Sequence, residues 1–132
     1  MTIDIIADTL TRIRNANLVR HQIVRVINTK LTFSIVKILK EEGYISSFEK
    51  INILNKNYLL LCLKYQSQKR QPTITGIQII SKPGLRIYVN KNNLPNVLSN
   101  LGIAILSTSK GILTNNRAKK LGVGGEVICY IW

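Results

Sequence analysis

One histidine and two cysteines leave this chain of 132 residues little with which to hold a metal or run nucleophile–base chemistry. His21 cannot complete a metal site alone, and no cofactor is expected. Cys62 and Cys129 sit far apart inside apolar runs, without C-x-x-C spacing, and read as reduced core residues. Acids are also scarce: 6 Asp and Glu face 19 Lys and Arg, a net charge of +13. Such self-repulsion favours a polyanionic partner, nucleic acid first. No apolar run approaches the roughly 20 residues that cross a bilayer. The N-terminus has neither signal-peptide nor transit-peptide order, so the protein is expected to work in the compartment where it is made. A membrane-surface role is not expected either, because the first helical stretch mixes Asp4 and Asp8 with Arg12 and Arg14 and shows no lipid-facing aromatics.

Hydrophobic residues make up 45% of the chain, enough for a packed core in one domain or two small ones. Ile3, Ile6, Ala7, Leu10 and Ile13 recur at helical spacing, with acids near the start and Arg12 and Arg14 near the expected end, complementing the helix dipole. His21 to Val26 reads as a strand buried on both sides. A second helix is predicted from about Lys30, with Leu31, Ile35, Ile38 and Leu39 on one face and Gly43 closing it. Ile45 to Ile53 and Tyr58 to Tyr65 form a hairpin around Asn55-Lys56-Asn57. Apolar residues then vanish from Gln66 to Pro72, where Lys69 and Arg70 read as linker charges. The expected class is α+β: an N-terminal α/β subdomain over 1–65, a linker over 66–73, and a β-rich subdomain over 74–132.

In the second half, Thr73 to Ile80 reads as a strand. Ser81 to Gly84 reads as a turn with Gly84 at positive φ. Leu85 to Val89 returns as a strand that sets Arg86 and Tyr88 on one face, a cation beside an aromatic as in nucleotide-binding surfaces. Asn92 to Asn100 is predicted as a short helix. The stretch Gly102 to Leu106 is a buried strand that delivers Ser107, Thr108 and Ser109, then Lys110 and Gly111, at its end. Short hydroxyls donate and accept hydrogen bonds, and suit sugars, base edges and phosphates. Lys110 adds charge and Gly111 permits close backbone approach. Asn115 is expected to cap a basic helical turn running to Lys120, and Glu126 to Trp132 a final buried strand.

Ser107-x-x-Lys110 also fits a penicillin-binding-protein nucleophile, but the S-D-N and K-T-G companions are missing, so no enzymatic activity and no small-molecule substrate are expected. Gly122-x-Gly124-Gly125 precedes a strand where a dinucleotide or P-loop fingerprint opens a helix. It brings Gly124, Gly125 and Glu126 to a strand start. Glu126 would repel bare phosphate and suits a neighbouring cation, base amino groups or a 2′-OH.

Read together, Gly102 to Gly111, Gly122 to Trp132, Asp4 to Ala16 and Ser81 to Tyr88 resemble, nearly end to end, the small-subunit ribosomal protein S8 family of bacterial type. The resemblance implies binding to a helical stem in the central domain of small-subunit rRNA, with neighbouring ribosomal proteins as further partners. It implies that Ser107, Thr108, Ser109, Lys110, Gly124, Gly125, Glu126 and Tyr88 meet the RNA. Lys30, Thr9, Arg12 and Asn15 would add backbone contacts. Lys82, Asn28-Thr29 and Asn115 depart from the family's usual Arg, Pro-Ser and Asp. A basic protein–protein scaffold without RNA recognition is the rival. Abundant Ile, Asn, Lys and Tyr, all with A/T-rich codons, favour a plastid-encoded origin, with a bacterial cytoplasm as the alternative.

Overall fold

The computed structural model describes residues 2–66 and 71–132 and divides into two compact units, 1–74 and 75–132. The expected linker charges Lys69 and Arg70 lie outside the described residues.

In the first unit, α1 (Thr2–Leu18) precedes β1 (Ile23–Ile27), α2 (Lys30–Glu41), β2 (Ile45–Ile53) and β3 (Lys56–Leu63). Short strands β4 (Tyr65–Gln66) and β5 (Gln71–Pro72) pair with each other. The main sheet has the order β1-β3-β2 with both pairings antiparallel. Period-2 alternation puts Leu59, Leu61 and Leu63 on the core face of β3, opposite the helical stripes Ile6, Leu10, Ile13 and Ile35, Val36, Leu39, all buried. Each such side chain contributes about 1.5–3 kcal/mol when taken from water.

Helix α1 outruns its expected end. Ala16 and Asn17 are buried in its last turns, so Arg12 and Arg14 sit mid-helix and no basic residue occupies the last turn. Strand β1 is buried on one side only: it is a sheet edge, and Ile23 and Ile27 are exposed. Helix α2 starts as expected at Lys30, and Thr29 caps it. The Thr29 hydroxyl accepts from Thr32 N (3.2 Å) while Thr29 N donates to Thr32 Oγ1 (2.8 Å), a reciprocal box of the kind worth about 0.5–2 kcal/mol. Gly43, at φ +80, ends the helix.

The second unit comprises β6 (Ile77–Ile79), β7 (Tyr88–Val89), β8 (Ile103–Thr108), β9 (Gly111–Thr114), α3 (Asn115–Leu121) and β10 (Gly125–Ile131). The sheet order is β6-β10-β8-β9, with β7 also pairing β10. Val97, Ala104, Leu106 and Val127 form a buried cluster flanked by Ile80, Val89, Leu94, Tyr130 and Trp132.

Several local expectations change here. The strand predicted from Thr73 shortens to Ile77–Ile79, and that from Leu85 shortens to Tyr88–Val89. Gly84 does not take positive φ; the turn it occupies is closed instead by a bridge between Lys82 and Leu85. No α-helix forms over Asn92 to Asn100: Leu98 and Ser99 adopt left-handed backbone, leaving one 3-10 turn over Leu98–Asn100. Thr114, not Asn115, caps α3 by accepting from Arg117 N at 3.2 Å. Asn115 is buried; its Oδ1 accepts from Ala104 N (3.2 Å) and its Nδ2 donates to Pro95 O (3.0 Å).

Ser81 anchors the irregular run before β7. Its hydroxyl donates to Val127 O (2.6 Å) and accepts from Ile87 N (3.0 Å), and the residue is buried. Ser81→Ala leaves those groups unpaired, an expected cost of about 1–3 kcal/mol; thermal unfolding of the variant measures it, and an unchanged melting temperature would contradict the role.

Candidate nucleic-acid interface

Register creates the site. Glu126 of β10 lies opposite Ser107 of β8 and Tyr88 of β7, while Ser107 also lies opposite Ile112 of β9. Directly opposed residues of antiparallel strands project to one side of a sheet, so Tyr88, Glu126 and Ser107 form a row across three strands. One step toward the hairpin, Gly125 pairs with both Thr108 and Val89. Toward the opposite end of β8 and β10, Ile105 and Cys129 are buried; burial pushes the Cys129 thiol up to about 12 and keeps it unreactive. Ser107 and Glu126 are half-buried, and Tyr88 is exposed.

The glycines are there for space. A Cβ at Gly125 would collide with the Ser107 carbonyl oxygen, and one at Gly124 with Val89 O and the Asn90 backbone. Gly111 differs from expectation: nothing lies near its absent side chain, and its φ of +102 is what selects glycine. Ser109 and Lys110 form the exposed tip between the paired Thr108 and Gly111. Thr108 shapes that tip, its hydroxyl donating to Gly111 O (2.8 Å) and accepting from Lys110 N (3.1 Å). The hydroxyls of Ser107 and Ser109 have no hydrogen-bond partner among the described residues.

Thus the structure brings together Ser107, Thr108, Ser109, Lys110, Gly111, Gly124, Gly125, Glu126, Tyr88 and Arg86. Arg86 does not merely flank Tyr88: its Nη1 stands 3.7 Å from Glu126 Oε2. Lys30, Arg12 and Asn15 belong to the first unit and are exposed there, Lys30 opening α2 and the others on α1. Arg12 is held by Asp8 at 3.0 Å, an exposed i,i+4 pair of the kind worth at most about 1 kcal/mol. Thr9 is buried, which removes it from the contact surface.

Beyond the residues expected from sequence, α3 presents Arg117, Lys119 and Lys120 exposed immediately after the hydroxyl hairpin. Their signal was available: the second unit carries Lys82, Arg86, Lys91, Lys110, Arg117, Lys119 and Lys120 against the single acid Glu126.

A basic two-unit α+β chain whose exposed sheet end carries hydroxyls, glycines and one carboxylate has the make-up of a ribosomal protein. The family model described as Ribosomal protein S8 matches residues 4–132, and the chain belongs to that family. It is similar to small ribosomal subunit protein uS8c of Thalassiosira pseudonana, 58% identical over 132 residues and 100% of both chains. It is likewise similar to uS8c of Gracilaria tenuistipitata var. liui, 56% identical over 98% of each chain. Small ribosomal subunit protein uS8 of Acaryochloris marina is 54% identical over 98% of this chain and 97% of its own. The protein is therefore a structural constituent of the small ribosomal subunit and not an enzyme, with rRNA and ribosomal proteins as its partners.

Proposed function

We propose that this protein binds small-subunit rRNA directly, at a helical stem of the central domain, and supports assembly of the subunit. Recognition is assigned to residues 74–132, and Lys30, Arg12 and Asn15 add backbone contacts. The observation that carries this reading is the row Tyr88–Glu126–Ser107, exposed at Tyr88 and half-buried at the other two, with the exposed hydroxyl and ammonium of Ser109 and Lys110 beside it. A-form RNA displays 2′-hydroxyls and base edges in a wide, shallow minor groove that short hydroxyls reach. Lys110 and the exposed Arg117, Lys119 and Lys120 of α3 supply charge for phosphates, so selectivity and bulk affinity come from different side chains. Its place of work is the plastid ribosome, in keeping with the composition and with relatives named uS8c matching the full chain.

Ser107→Ala or Ser109→Ala is expected to weaken binding to the specific stem by about 1–3 kcal/mol, leaving an RNA donor or acceptor unpaired. Filter binding to the stem and to a random duplex checks this. Equal losses on both RNAs would refute the assignment.

A further inference from the structure

We infer that Arg86 is a positioning residue for Glu126 and not a phosphate contact; this deepens the proposed rRNA recognition and rests on it. Glu126 is the single acid of the second unit, and it stands in the row where the RNA is placed. Its side chain is only 14% exposed, and Oε2 is buried with no hydrogen-bond partner among the described residues. Arg86 Nη1 at 3.7 Å lies beyond the 2.7–2.9 Å of a charge-assisted hydrogen bond, so the pair is coulombic and leaves the oxygen unbonded.

A buried carboxylate without donors is unfavourable in the free protein and is relieved by a partner that brings N–H or O–H groups. RNA offers such groups as base amino groups and 2′-hydroxyls, whereas phosphate oxygens only repel the carboxylate. Glu126 therefore discriminates within the RNA, selecting donor-bearing edges over backbone. Arg86 makes this workable: its charge, 3.7 Å away, attracts the carboxylate and holds it in place beside the row. Because Glu126 offsets its charge, Arg86 adds little net charge with which to neutralise a phosphate. Ser81 fixes the segment that carries it, since Ile87 N donates to Ser81 Oγ and Val127 N donates to Ile87 O at 2.9 Å. The guanidinium is thus tied to β10 through the residue next to it.

Phosphate contacts and positioning residues differ in salt dependence. Each phosphate contact removed lowers the slope of log affinity against log salt by about 0.7–0.9. Arg86→Ala in the full chain is expected to weaken specific stem binding about 10- to 30-fold, to leave random-duplex binding unchanged, and to leave the slope within about 0.3 of wild type, against a drop of about 0.7–0.9 for Lys110→Ala. In a Glu126→Gln background, Arg86→Ala should cost less than about 3-fold, because the group it acts through is gone. Arg86→Gln replaces Arg86→Ala in both arms if the alanine variant fails to fold by circular dichroism. A slope drop matching that of Lys110→Ala, or an undiminished loss in the Glu126→Gln background, overturns the inference. A wild-type protein that does not prefer the stem over random duplex overturns instead the recognition reading beneath it.

Discussion

Gly125→Ala is expected to abolish specific stem binding, with an affinity loss of about 100-fold or more, equivalent to about 2.7 kcal/mol or more. The new methyl group has no free direction, because Gly125 sits between β7 and β8 and its Cβ would run into the carbonyl oxygen of Ser107. Paired strands stand about 4.7–4.9 Å apart, and neither can retreat without breaking ladder hydrogen bonds. Forcing extra volume into such a place costs about 1–3 kcal/mol, sometimes more. The displaced strand carries the Ser107 hydroxyl, so stability and recognition fall together. Calorimetric unfolding combined with binding to the stem tests this; a variant with wild-type melting temperature and affinity would show that the close approach is unimportant.

The second large effect is that of salt. If roughly 5 phosphates are neutralised, log affinity should fall with log salt at a slope of about −3.5 to −4.5, so raising salt from 50 to 200 mM costs roughly two to three powers of ten. Lys82, Lys91, Lys110, Arg117, Lys119 and Lys120 of the second unit form no salt bridge among the described residues, whereas Arg86 is paired with Glu126. Replacing Arg117, Lys119 and Lys120 together by alanine should reduce the slope by about 2–3 while leaving the preference for the stem over random duplex intact. A wild-type slope near zero would refute the electrostatic half of the proposal.

How much of this was readable beforehand divides along the range of the interactions involved. The buried positions Ile6, Leu10 and Ile13 of α1 and Ile35 and Leu39 of α2, the Gly43 stop and the strand feeding Ser107 follow from spacing within a dozen residues and appear, while Ala7, Leu31 and Ile38 are only half-buried and Val36 joins the core unannounced. What escaped depends on distant partners. Asn115 looks like a helix cap in its own window, yet it is drawn inward by Ala104 N and Pro95 O, leaving Thr114 to cap. Over Asn92 to Asn100 the local pattern tolerates a helix, but Val97 turns into the buried cluster while Leu98 and Ser99 go left-handed. Charge alone marks Glu126 as unusual and suits it to a neighbouring cation, base amino groups or a 2′-OH alike. Only strand register, placing Tyr88 opposite it, brings Arg86 within 3.7 Å and selects that one.

The bond from Thr108 to Gly111 across the hairpin tip has a bearing on how a ribosome is put together. A tip that holds its own shape has already lost its backbone freedom, on the order of 1–2 kcal/mol per residue, when the chain folds. Its backbone needs little moulding at the moment of encounter, which, on the proposed function, favours rapid capture of the stem.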